Sequence, residues 1–191
     1  MASSNTGKLR EISRLLADLD ISVVPQSDFG IGDVEETGTT FAANALQKAR
    51  HAVAETGLPA IADDSGLVVD ALDGRPGVFS ARYAGPDASD DANIDKLLQE
   101  MQDVADDRRG AAFHCTVCLL LSADSEPIFA TGEWRGVILR ERRGASGFGY
   151  DPVFCDTGLG RSAAELSAAE KDARSHRGRA LRELARRMAT L

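Results

Sequence analysis

Residues 58–72 read LPAIADDSGLVVDAL, an apolar run broken by Asp63, Asp64, Ser65 and Gly66. The first half, PAIADD, has the composition of a buried strand, and it ends on two adjacent carboxylates. An unpaired charge taken out of water costs several kcal/mol, so such a pair implies solvent, a salt bridge or a cation. Consecutive strand residues point to opposite faces, so Asp63 and Asp64 should not do the same job.

Working outward from this stretch, helices and strands alternate. Upstream, TTFAANALQKARHAVAETG predicts a helix with a Thr start and a Gly stop, on which Asn44 and Lys48 share one face. GIGDVEETGTT before it is a loop rich in glycine and acid that carries Glu35 and Glu36, and ISVVPQ before that reads as a short strand. KLREISRLLADLD, from position 8, places Leu9, Ile12, Leu15 and Leu16 at helical spacing. Downstream, GRPGVFSARYAGPDAS is too rich in Gly and Pro for a regular element. Ser89 is placed to cap a helix through DDANIDKLLQEMQDV, whose buried stripe is Ile94, Leu97, Leu98 and Met101. AAFHCTVCLLLS and PIFATGEWRGVIL are β-rich segments around the turn ADSE, expected to form an antiparallel pair. RGASGFGYDPVF is a glycine-punctuated loop leading to another short strand, and a last helix follows Ser175 with Leu181, Leu184, Ala185 and Met188 on its apolar side. The expected fold is α/β with a mixed sheet, in a single domain spanning residues 1–191.

Bulk properties narrow the function. A formal charge of −8 and a pI near 4.9 argue against a nucleic-acid binder or an anionic-membrane binder, because a phosphate backbone would be repelled by most of the surface. No stretch reaches the roughly 18 consecutive apolar residues of a membrane span, and MASSNTGK lacks the apolar core of a signal peptide, so a cytoplasmic location is expected. Cys115 and Cys118, three apart on a strand, face opposite sides and should not share a zinc ion.

Four segments could carry chemistry. Ser3, Ser4, Asn5, Thr6, Gly7 and Lys8 form a polar loop before a helix, a natural cradle for phosphate, although the pattern is not a Walker A loop. Glu35–Glu36 and Asp63–Asp64 offer carboxylates from separate elements, as Mg²⁺ requires when phosphate oxygens and water complete its shell. In SGFGYDP the glycines let the backbone approach a ligand and Phe148 could stack on a planar ring. Lys171 and SHRG, with His176 and Arg177, put cationic donors at the start of the last helix. Together the four segments point to a nucleotide and Mg²⁺.

At SSNTGKLRE, EETGTTFAANALQKAR, ADDSGLVVDALDGRPGVFSARYAG, GFGYDPVF, AAEL and EKDARSHRGRAL the chain resembles the inosine/xanthosine triphosphate pyrophosphatase family, over residues 3 to about 181. The resemblance implies Mg²⁺-dependent hydrolysis of ITP, dITP and XTP to the monophosphate and pyrophosphate. It also implies an elongated α/β fold with flanking helices and two lobes around a substrate groove, and a homodimer. Carried over, residues 3–8 would hold the triphosphate, supported by Asn44 and Lys48. Asp64 would be general base and metal ligand, and Glu35 a second metal ligand, with Asp63 and Glu36 as alternatives. Ser65 would contact substrate, Phe148 would stack on the purine, and Gly149, Tyr150 and Asp151 would line its pocket. Lys171, His176 and Arg177 would read the 6-oxo group. The family's short apolar strand ahead of the phosphate loop is represented here by little more than Met1 and Ala2, which is expected to weaken the sheet behind residues 3–8. The rival readings are a pyrophosphatase of other modified triphosphates, such as those of pyrimidines, and a nucleotide-binding module without catalysis.

Overall fold

Asn5 starts α1 (Thr6–Leu16) by accepting the Lys8 backbone N–H at 2.9 Å, and Ile12 and Leu16 form its buried side. The computed structural model describes residues 1–3, 5–17 and 22–189, so Ser4 and part of the expected ISVVPQ strand lie outside the described residues. The described remainder of that segment is not a strand. Pro25 offers no N–H, a short 3₁₀ turn follows at Gln26–Phe29, and Gly30 closes it in the left-handed region at φ 70°. Val24 and Gln26 instead bond the chain start, through the Met1 amine to the Val24 carbonyl at 2.8 Å and the Gln26 N–H to the Met1 carbonyl at 3.0 Å.

Thr40 caps α2 (Phe41–Thr56) through the Ala43 N–H, and Gly57 ends it in the left-handed conformation at φ 68°. β1 (Ala60–Val69) follows. It runs straight through the two aspartates rather than ending on them, a correction explained by the partners each carboxylate finds. α3 (Asp90–Glu100) begins at Ser89 as expected. β2 (Gly110–Leu120), β3 (Ile128–Ile138), β4 (Phe154–Asp156) and β5 (Arg161–Ser162) complete a five-stranded sheet in the order β1-β2-β3-β4-β5, with β3–β4 and β4–β5 antiparallel. The register pairs Val137 with Cys155 and Cys155 with Ser162. α4 (Ala168–Arg174) and α5 (His176–Met188) close the described chain. Among the described residues no helix is long and apolar enough to cross a membrane. The fold is mixed α/β, a sheet flanked by helices, as expected.

Two compact units divide the chain: residues 1–64, 115–132 and 175–191 make one, and residues 65–114 and 133–174 the other. In the first, period-two alternation along β2 decides what each helix covers. Cys118 and Leu120 pack with Ala45, Ala49 and Val53 of α2, while Cys115, Val117 and Leu119 pack with Ile12 and Leu16 of α1 and with Leu181 and Leu184 of α5. α5 comes close because β3 has a glycine there: a Cβ on Gly132 would lie 2.1 Å from the His176 carbonyl oxygen and 2.7 Å from the Ala180 nitrogen. The second unit has its own core of Leu67, Val69, Ile94, Leu97, Met101, Trp134 and Phe154, each side chain contributing roughly 1.5–3 kcal/mol by burial.

Candidate active site

In the first unit the two aspartates of β1 face different partners, as strand alternation requires. Asp63 Oδ2 lies 3.1 Å from Lys8 Nζ and 3.4 Å from Nε of Arg177, whose Nη1 donates to Glu11. Glu11, Asp63 and Arg177 are all buried. Asp64 Oδ2 accepts from Asn44 Nδ2 at 3.0 Å and its Oδ1 lies 3.3 Å from Lys48 Nζ. Lys48 also donates to Glu36 at 2.8 Å, so one ammonium bridges two carboxylates. The shared face expected for Asn44 and Lys48 is therefore turned onto Asp64.

The electrostatics of the neighbours diverge. Burial alone would raise the Asp63 carboxyl, but Lys8, Arg177 and Lys48 outweigh it and hold it well below the usual range. Burial likewise raises Asp64, and there Lys48 and Lys8 do not overcome it, so its carboxyl sits above an ordinary aspartate. Lys48, although buried, is held above its usual value because Asp64, Asp63 and Glu36 favour its charge. Arg177 is fixed in its charged form by Asp63 and Glu11 against the penalty of burial. Asp63 is thus a committed anion, while Asp64 is the carboxylate with the greater affinity for a proton.

Asn44 does two jobs. Its Nδ2 reaches Asp64, and its Oδ1 accepts the Gly38 N–H at 2.8 Å, tying the strand to the loop that carries Glu35 and Glu36. Gly38 has no room for a side chain, since a Cβ would sit 2.5 Å from Asn44 Oδ1. Glu35 is exposed and, among the described residues, nothing holds its carboxylate. No ready cage of three or more His, Cys, Asp or Glu side chains occurs among the described residues. Mg²⁺ does not need one, because one or two carboxylates with water and phosphate oxygens satisfy it. The hard oxygen donors of Asp64 and of the 35–36 loop, already sharing a cationic ammonium, fit that ion.

In the second unit Asp151 is buried, accepts the Phe148 N–H at 2.9 Å and pairs with Lys171 Nζ. Lys171 Nζ stands 4.8 Å from the centre of the Phe148 ring. Gly147, at φ 81°, makes this turn possible, as a Cβ there would meet Asp151 Oδ2 at 2.0 Å. The Gly149 N–H donates to Asp90 at 2.6 Å. Tyr150 belongs to the core by its side chain, its hydroxyl donating to the Ser80 carbonyl at 2.9 Å. Ser65 begins this unit on β1, one residue after Asp64.

The remaining site residues fall in the first unit. Ser3 Oγ accepts the Asn5 N–H at 3.2 Å, and Thr6, Gly7 and Lys8 form the first turn of α1. His176 is buried at the start of α5, where Ser175 caps the helix through the Gly178 N–H. Sequence reasoning missed Glu11, Gln47 and Gly132. Glu11 sits directly before Ile12 of the apolar stripe on α1, and nothing local separates it from a carboxylate on the solvated flank of an amphipathic helix.

The Ham1 family model matches residues 1–187. The chain belongs to the Ham1 family. It is 55% identical over 185 residues to the dITP/XTP pyrophosphatase of Pectobacterium atrosepticum, covering 96% of this chain and 94% of that one. The corresponding protein of Escherichia coli K12 is 54% identical with the same coverage. Among solved structures, a HAM1 protein from Coxiella burnetii superposes with a TM-score of 0.90 at 49% identity, over 99% of this chain and 96% of that one. The nucleoside-triphosphatase, dITP/XTP pyrophosphatase from Mycobacterium abscessus gives 0.76 at 48% identity, over 95% and 94%.

Proposed function

We infer that the chain is an enzyme hydrolysing deaminated purine nucleoside triphosphates, ITP, dITP and XTP, to the monophosphate and pyrophosphate. Relatives more than half identical over nearly the whole chain carry the name dITP/XTP pyrophosphatase. The observation that carries the mechanism is the contrast between Asp63 and Asp64. Asp63 is enclosed by Lys8 and Arg177, which hold its carboxyl low, whereas Asp64, raised by burial, is the better proton acceptor of the two.

Asp64 takes the proton of the attacking water at its carboxylate. Asn44, donating to Oδ2, fixes the direction of that carboxylate, and Lys48, at Oδ1, keeps a positive charge beside the triphosphate. Lys8 and the first-turn backbone of α1 hold the phosphates, with Ser3 and Asn5 shaping the approach. Mg²⁺ would be held by Asp64 and Glu35; Glu36 is tied to Lys48, which favours Glu35 as the second ligand. When bound, the ion supplies Lewis-acid neutralisation of phosphate charge. Within the second unit Phe148 offers a ring for stacking, and Lys171, held beside that ring by Asp151, offers a cationic donor to a 6-oxo group; Arg177, expected to read that group, is instead buried and taken up by Asp63 and Glu11. Adenine presents a 6-amino donor to the Lys171 ammonium, a donor facing a donor, which disfavours ATP. The protein works in the cytoplasm as a homodimer; its three cysteines, all free, suit a reducing compartment.

The test is pyrophosphate release from ITP, XTP, dITP, GTP, ATP and dUTP with Mg²⁺. ITP, dITP and XTP should lead, Asp64→Asn should abolish turnover with its circular dichroism unchanged, and equal rates for ATP and ITP would defeat the reading.

A further inference from the structure

The loop that carries Glu35 and Glu36 has no regular secondary structure, yet α2 grips it from one face. Positions 44, 47 and 48 are neighbours on a helix surface. Asn44 takes the Gly38 N–H and Lys48 takes the Glu36 carboxylate. Gln47 makes the third connection. Its Nε2 donates to the Glu35 carbonyl at 2.7 Å, while its Oε1 accepts from the Thr37 N–H at 3.3 Å and from the Thr37 hydroxyl at 3.4 Å. One side-chain amide thus meets a carbonyl and an N–H two residues apart, as a neighbouring strand would. Reversing the amide would set two carbonyl oxygens against each other, so the orientation is dictated by the partners.

The grip is on the backbone of Glu35 and leaves its carboxylate exposed. We propose that Gln47 is a positioning residue for Mg²⁺ binding: it fixes the Glu35 main chain from behind, so that the carboxylate is presented without having to order its loop when the cation arrives. The inference rests on the reading of Glu35 as a metal ligand. Groups that orient a metal ligand from behind change metal affinity by about 10–100-fold when removed. An unrestrained loop loses conformational freedom on binding, and that loss lowers affinity for the cation.

The experiment measures Mn²⁺ binding by electron paramagnetic resonance, in the presence of a non-hydrolysable α,β-methylene analogue of ITP. The chains compared are the wild type, Gln47→Leu, Gln47→Glu and Glu35→Gln. Gln47→Leu should weaken Mn²⁺ by about 10-fold or more, while its melting temperature and its affinity for the analogue in EDTA stay at wild-type values. Gln47→Glu, which keeps the acceptor for Thr37 and loses the donor to Glu35, should also weaken Mn²⁺, and it carries the test if the Leu variant fails to fold. Glu35→Gln should weaken Mn²⁺ at least as much. If Glu35→Gln weakens Mn²⁺ and neither Gln47 variant does, the positioning role is overturned and the ligand reading stands. If Glu35→Gln leaves Mn²⁺ binding intact, the ligand reading falls and takes the inference with it.

Discussion

A thiol beside a buried carboxylate is a poor nucleophile, and Cys115 is in that position, its Sγ 3.9 Å from Asp63 Oδ2. Burial pushes its thiol up to about 12, with Asp63 adding to the shift, and burial pushes Cys118 up to about 11. Both folded values lie above that of an exposed thiol. The folded chain therefore prefers the protonated form, and the stability this preference confers is present below the ordinary thiol value and lost as pH rises through it towards the folded ones. At pH 8 the native protein should give almost no reaction with an aromatic disulfide reagent, and all three thiols should titrate in denaturant; rapid reaction of the native chain would contradict the burial of Cys115 and Cys118. The different duties of Asp63 and Asp64 were legible from strand alternation alone. Their partners were only half legible. Lys48 shares a helix face with Asn44, but Arg177 lies 114 residues from Asp63, and no local spacing announces a contact of that range.

At the scale of elements, helix limits followed from caps that the sequence displays, Thr40 and Gly57 for α2 and Ser89 for α3. The described part of the expected strand ISVVPQ, from Ser22 on, is not a strand and meets Pro25, which withholds an N–H; β1 outran its expected end because Lys8, Arg177, Lys48 and Asn44 make its carboxylates tolerable inside a sheet. Arg109 is a similar surprise, a buried guanidinium that donates to the carbonyls of Met101, Ile138 and Leu139. Its signal would have been an arginine directly before the apolar start of β2, which composition does not separate from a surface charge. Gly132 carries the prediction for this scale. Gly132→Ala must push α5 from β3, and overpacking of this kind costs about 1–3 kcal/mol. Urea unfolding should record that loss, and an unchanged midpoint would mean that α5 does not rest on the glycine.

For the whole molecule, the family and the α/β class were readable because several long motifs occur in order along the chain, each fixed by local chemistry. Two lobes were expected from the resemblance, but where the chain divides into its two compact units was not legible, because three of the boundaries fall inside β1, β2 and β3, where composition does not change. Assembly is the property to measure at this scale. Sedimentation equilibrium should give twice the chain mass of 20.3 kDa, and a single-chain mass at micromolar concentration would refute the homodimer. The chromophores are unevenly placed. The one tryptophan and both tyrosines, Trp134, Tyr83 and Tyr150, all belong to the unit of residues 65–114 and 133–174. Trp134 is buried there, its Nε1–H bonded to Asp156 at 2.9 Å. Intrinsic fluorescence and near-ultraviolet dichroism therefore report on that unit alone, and the one that holds Asp63 and Asp64 is nearly dark to both, so its melting must be followed by another probe, such as a tryptophan introduced at Phe129.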